Sequence, residues 1–127
     1  MKVLLDTHIF LWAITGDARM TKAQRAAYLN EDNDLFLSLA SVWEMLIKCG
    51  IGKLSLPSPA TAYIHKQMEK NRIATLGIHA THLAELEKLP PLHRDPFDRM
   101  LVAQARAEKM PILSGDPALK KYPVKLL

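Results

Sequence analysis

The order of apolar and polar side chains divides the chain into short continuous runs and helical repeats. Residues 2–6, KVLLD, form an apolar run closed by an acid, the pattern of a strand covered on both faces of a parallel sheet. THIFLWAIT, 7–15, follows at once as a short helix. Thr21, with Gln24 three positions on, writes a capping box for a helix running to about Asn30. DLFLS, 34–38, reads as a second strand. From Leu39 to Cys49 the apolar positions 39, 42, 43, 46 and 47 recur at helical spacing, and Gly50 supplies a stop. Ser58 and Pro59 read as a cap and first-turn pair for a helix with Tyr63, Ile64 and Met68 on its apolar stripe.

IATLGI, 73–78, predicts a third strand, and ATHLAELEKL a helix stopped by Pro90 and Pro91. Asp95 followed by Pro96 is an N-cap and first-turn pair opening a helix through DRMLVAQARAEK, and PILSG, 111–115, predicts a fourth strand. Strands alternating with helices predict an α/β fold, a parallel sheet with helices on both faces. No repeat, low-complexity tract or linker divides residues 1–127, which read as one domain.

Composition narrows the class. A chain of 127 residues suffices for one core, and its 49% apolar and 24% charged residues are those of an ordinary globular protein. Cys49 is the only cysteine, so no internal disulfide forms and no thiolate metal site is written, which fits a reducing compartment. No apolar run is long enough to span a bilayer, and the first stretch is broken by Asp6 and His8, so a cytoplasmic protein without a membrane partner is expected. The net charge of +4 favours anionic partners.

The acids carry the candidate chemistry. Ligands of open parallel sheets collect beyond the carboxyl ends of the strands. Asp6 ends the first predicted strand and Asp116 follows the last. Each is also in a place where an Asp commonly caps a helix or turn. Glu44, in SVWEML, falls roughly 60° beyond Ile47 on the helical wheel, at the border of the apolar face, where it either pairs with Lys48 at i+4 or reaches into a crevice. Asp95 is explained by capping, and Asp98, three residues into that helix, by the helix dipole. Local structure does not explain the set. Several carboxylates gathered without bases repel one another unless a divalent cation joins them, and oxygen-only donors suit Mg²⁺ or Mn²⁺. The chemistry implied is metal-assisted attack of water on a phosphodiester.

LLDTHIFLW, SLASVWEMLIKCGIGKL, HRDPFDRMLVAQA and ILSGD, in that order along nearly the whole chain, resemble the PIN-domain nucleases, and within them the VapC-type toxins of toxin–antitoxin pairs. The resemblance implies a three-layer PIN-like fold with a central parallel sheet of about four to five strands, and a metal-dependent ribonuclease built on clustered acids. By motif, those acids are Asp6, Glu44, Asp98 and Asp116. Asp6 and Asp98 are expected to hold Mg²⁺ or Mn²⁺, with Glu44 and Asp116 completing its shell or assisting a second ion. Thr7, Ser41, Asp95 and Ser114 are expected to support these ligands, and Arg94, Arg99, Lys48 and Lys53 to meet RNA phosphates. An antitoxin and a second copy of the chain are the implied partners, with the apolar first-half helices as interface material.

Other readings fit less well. A phosphatase of the haloacid-dehalogenase type needs an acid where His8 stands. A P-loop needs Gly at Ile47 and a hydroxyl at Leu54. His79 and His82 without a third ligand make a weak zinc site and read as surface or first-turn histidines. Trp12 and Trp43 read as core residues rather than base-stacking ones. The competing class is a noncatalytic module that binds nucleic acid or protein on the same fold.

Overall fold

A computed structural model describes residues 1–92 and 95–127. Four strands, β1 (Lys2–Leu5), β2 (Asp34–Ser38), β3 (Ile73–Leu76) and β4 (Ile112–Leu113), form an all-parallel sheet in the order β3-β2-β1-β4. Helices α1 (Thr7–Thr15), α2 (Lys22–Leu29), α3 (Leu39–Gly50), α4 (Ala60–Lys70), α5 (Ala80–Lys88) and α6 (Pro96–Glu108) join them, and a 3₁₀ helix, Pro117–Lys121, follows β4.

The apolar run of β1 is continuous because both faces of the strand are covered. Val3 and Leu5 enter one core with Ile9, Phe10, Val42, Met45 and Ile64, while Leu4 enters the other with Leu101, Val102, Ile112 and Leu119. The first core lies under α1–α4, the second under α5 and α6. Truncating a fully buried leucine such as Leu4 or Leu5 to alanine carries a cost on the order of 2–5 kcal/mol.

Several boundaries differ from the sequence expectation. Asp6 leaves β1 and becomes the N-cap of α1, its carboxylate accepting from the Thr7 N–H at 2.7 Å. The third strand ends at Leu76, and the fourth keeps only Ile112 and Leu113. Beyond them, the chain segment 125–127 covers β4 through Ile112 N–H to Lys125 O and Leu127 N–H to Ile112 O, both 2.9 Å. Gly50 does not stop α3, which runs through it. The left-handed turn falls at Gly52, with φ of 76°. Pro59 rather than Ser58 stands at the N-cap of α4, with no side-chain cap.

The largest correction concerns the face of α3. Its buried residues are Ala40, Ser41, Val42, Glu44 and Met45, whereas Leu39, Trp43 and Ile47 point outward, as does Ile51 just beyond, and Trp43 is 60% exposed. The helix carries two apolar sides, one turned to the core and a row at i, i+4, i+8 and i+12 turned away. Periodicity sums them into one arc and cannot choose between them. Trp12, by contrast, packs against the first core.

Strand order sets where a ligand is received. From β1 the chain passes to β2 and β3 on one side and returns to β4 on the other, so the topological switch lies between β1 and β4. Leu5 pairs with Leu113 across it, which brings Asp6 beside Ser114 and Asp116 at the carboxyl edge.

Candidate active site

Asp6 lies at the base of this edge, 2% exposed. Its Oδ1 accepts from the Thr7 N–H, and its Oδ2 accepts from the Ser114 hydroxyl at 2.5 Å, across 108 residues of sequence. Ser114 Oγ in turn accepts the Asp116 N–H at 3.0 Å, and Asp116 caps the 3₁₀ helix through the Ala118 N–H at 2.9 Å. The local capping roles of Asp6 and Asp116 are therefore real, and the same geometry aims both acids into one crevice.

His8 completes the arrangement. Its Nε2 accepts the Gly115 N–H at 3.2 Å, which leaves Nδ1 to carry the proton of the neutral ring, 3.3 Å from Asp6 Oδ2. The ring lies against Trp12, centroids 4.7 Å apart. Sequence reasoning used His8 to break the first apolar stretch and to exclude a phosphatase, and gave it no part in the site. The available signal was a histidine two residues past a strand-end acid, in the first turn of a short helix.

Glu44 is buried and bonded to Lys48 Nζ at 2.9 Å. Both sequence alternatives for it hold at once: the i+4 pair forms, and the carboxylate reaches the crevice. The Lys48 ammonium is held above the usual lysine range, chiefly by that hydrogen bond, against the cost of its own partial burial, with help from the fields of Glu44, Asp95 and Asp98.

Asp95 caps α6, its Oδ1 accepting from the N–H groups of Phe97 at 2.9 Å and Asp98 at 3.2 Å. That cap fixes the first turn and so the position of Asp98. Asp95→Ala is expected to lower stability by about 1 kcal/mol, whereas Asp95→Asn keeps the cap and changes it little. Urea unfolding midpoints of the two variants check this, and equal losses would mean that charge rather than capping is what Asp95 supplies.

Asp6, Glu44, Asp98 and Asp116 all open onto a single cleft of about 210 Å³, with His8, Lys48 and Asp95 on its walls. Other expected site residues are placed differently. Thr7 supports Asp6 through its N–H, while its hydroxyl donates to Ser41 Oγ at 2.9 Å and ties α1 to α3. The Arg99 guanidinium is committed to Pro90 O at 2.8 Å, Tyr122 Oη at 3.1 Å and Leu89 O at 3.5 Å, which makes it a clamp on the turn before α6 rather than a phosphate ligand. Lys53 lines a second cavity beside the cleft. Arg94 lies outside the described residues. His79 and His82 serve the start of α5: the His79 N–H donates to His82 Nδ1 at 3.1 Å, and the His82 ring is fully buried with Nε2 3.3 Å from Glu108. His82 is thus a first-turn histidine but not a surface one.

The donor chemistry of the cleft is that of a hard cation site. Among the described residues no three Asp, Glu, His or Cys side chains stand close enough to enclose an ion as now arranged. The Lys48 ammonium stands in the field of Glu44, Asp95 and Asp98. The strain falls on Asp6, whose carboxyl is pushed above the usual carboxylate range by burial. His8, the Ser114 hydroxyl and the Thr7 N–H oppose the shift, and the negative Asp116 adds to it. Oxygen donors with one buried, reluctantly ionised carboxyl fit a divalent ion.

A pH dependence follows. The folded pKa of Asp6 exceeds its unfolded value, so the folded state holds this proton more tightly. The associated stability is complete below the unfolded pKa of roughly 3.9 and is lost as pH rises through the raised folded value. With EDTA present, the unfolding midpoint of the wild type relative to Asp6→Asn is expected to fall as pH rises through that window. A pH-independent difference would show Asp6 to ionise as a solvated carboxylate does.

The family model of the PIN domain matches residues 3–125. The chain belongs to the PIN-domain family. Over 60 residues, 47% of this chain, the PIN domain is 33% identical to Ribonuclease VapC16 of Mycobacterium tuberculosis, and the match spans 43% of that protein, less than half its length. The PIN fold here also superposes on solved structures at low sequence identity. VapBC2 of Rickettsia felis, described as bound to a DNA fragment from its promoter, matches at TM-score 0.76 and 17% identity over 100% of this chain and 98% of that one. VapBC-1 of nontypeable Haemophilus influenzae gives 0.69 and 14% over 100% and 97%. FitAcB of Neisseria gonorrhoeae gives 0.62 and 17% over 98% and 96%. Among the described residues no helix is long and apolar enough to cross a membrane.

Proposed function

We propose that this PIN domain, taken as one domain over residues 1–127, is a metal-dependent endoribonuclease acting as the toxin of a toxin–antitoxin pair. The observation that carries the reading is that four carboxylates, from the ends of β1 and β4 and from α3 and α6, line one cleft at the topological switch. The partial likeness to a ribonuclease and the fold shared with VapBC proteins support it.

Asp6 and Asp98 would hold Mg²⁺ or Mn²⁺, joined by Glu44 and Asp116. A bound ion of this kind supplies a water of lowered pKa and polarises a phosphoryl oxygen. The chain's own part is orientation: Thr7, Ser114 and His8 fix the Asp6 carboxylate, and Asp95 fixes the turn that presents Asp98. Lys48, bonded to Glu44 at 2.9 Å, would be available to an RNA phosphate were Glu44 to hold the ion.

The test is cleavage of a panel of unstructured RNAs titrated with Mg²⁺ and Mn²⁺, with EDTA as control. Cleavage that needs the ion is expected. Tight RNA binding unaffected by EDTA, with no cut in any RNA, would favour the noncatalytic module instead. For the partners, an antitoxin and a second copy of the chain are expected, and light scattering of the chain with and without the product of the adjoining gene detects both.

A further inference from the structure

Trp43 is the feature that the reaction does not use and packing does not explain. It is 60% exposed, and its ring meets Phe97 edge-on, centroids 5.3 Å apart at 82°. With Leu39, Ile47 and Ile51 it forms an exposed apolar row along α3 and just beyond it, and such patches mark binding surfaces. In sequence Trp43 precedes Glu44 and Phe97 precedes Asp98, so each aromatic is the immediate neighbour of one of the four cleft acids. The edge-on contact ties α3 to α6 where those acids emerge.

Phe97 also lines a cavity of about 370 Å³ with the apolar Ile47, Ile51 and Pro96, the acids Glu44 and Asp95, and the lysines Lys48 and Lys53. This cavity shares Glu44, Lys48 and Asp95 with the carboxylate cleft, so an occupant of one continues into the other. An occupant that meets the apolar walls of Phe97, Ile47 and Ile51 with a flat face and the Lys53 ammonium with negative charge fits this cavity, Lys48 being already paired with Glu44. A nucleotide of single-stranded RNA does both, and such strands are bound by stacking bases on aromatic side chains flanked by cations. The outward row Leu39, Trp43, Ile47 and Ile51 would also suit an amphipathic protein helix. Lys53 and the continuity with the carboxylate cleft favour the nucleotide.

We infer that Trp43, oriented by Phe97, is a base-stacking subsite that seats a nucleobase next to the scissile phosphate. This rests on the ribonuclease reading and adds to it where the substrate strand lies. Lys53 would meet the flanking phosphate.

The experiment is steady-state cleavage of an unstructured RNA, and of the same RNA with single abasic positions beside the cut, by wild type, Trp43→Phe and Trp43→Ala. Trp43→Ala is expected to raise KM roughly tenfold with kcat nearly unchanged, and Trp43→Phe to retain most of the affinity. One abasic position should reproduce the rise in wild type and add nothing further in Trp43→Ala. Unchanged KM in Trp43→Ala, or losses that simply add, overturns the subsite. Unchanged KM together with lost self-association or lost antitoxin binding assigns the surface to a protein and overturns it equally. Absence of cleavage of every RNA by the wild type overturns the ribonuclease reading, and the subsite with it, a result distinct from wild-type cleavage that Trp43→Ala leaves unaltered.

Discussion

Asp98→Asn is expected to lower the rate of RNA cleavage by roughly 10³-fold, the scale on which removal of a charge-stabilising group from a reaction centre is felt. Asparagine keeps the size of the side chain and its capacity to accept a hydrogen bond but removes the charge that a hard cation requires. The helix should survive, because the Asp95 cap and the Pro96 first turn do not depend on Asp98. The loss of a favourable dipole interaction amounts to only ~0.3–1 kcal/mol. Single-turnover cleavage with saturating Mg²⁺ or Mn²⁺, alongside thermal unfolding, separates the effects. Asp6→Asn should lose activity to a similar extent. Full activity in both folded variants would remove the carboxylate cleft from the chemistry.

The second large effect is expected at Ser114. Its hydroxyl is the link between the two acids at the topological switch, donating to Asp6 Oδ2 and accepting from the Asp116 N–H. Ser114→Ala removes the donor that holds the Asp6 carboxylate and leaves the Asp116 N–H without its acceptor. Loss of such supporting hydrogen bonds weakens metal binding or activity by roughly 10–100-fold. Isothermal titration with Mn²⁺ should show weaker binding, and cleavage should recover in part at high metal. His8→Ala should act in the same direction, since His8 Nδ1 is the other partner of Oδ2. Metal affinity unchanged in both variants would mean that the backbone N–H of Thr7 alone orients Asp6.

The separation of Asp95 from Asp98 shows how much was legible. An Asp-Pro pair opening a helix is a local arrangement, complete within a few residues, and the cap forms as read. The capping box of Thr21 and Gln24 is equally local, with reciprocal bonds of 2.9 and 3.1 Å. The alternation of runs and repeats carried the α/β class, since a strand covered on both faces must be apolar throughout. The four acids were legible as a set because their motifs resembled a known family, not because any one position demanded chemistry.

What failed to be legible is long-range. The outward face of α3 was misread because its amphipathic pattern has two apolar sides, and only the sheet beneath it decides that Val42 and Met45 are core while Trp43 is not. Arg99 looked available because a sequence does not show the carbonyls of Leu89 and Pro90 folding back to meet it. His8 was passed over because its partners, Asp6 and Gly115, meet only when β4 comes to lie beside β1.

The sequence by itself determined the alternation of strands and helices and the local caps at Thr21 and Asp95, since these depend on the conformational preferences and hydrogen bonds of neighbouring residues. Tertiary structure alone decided the strand order β3-β2-β1-β4, and through it that Asp6 and Ser114 touch, that Glu44 is buried, and that an aromatic pair stands at the rim. The physical reason is that a pairing between strands far apart in the chain is selected by the burial of both sheet faces at once, a condition on the whole fold that no local pattern contains.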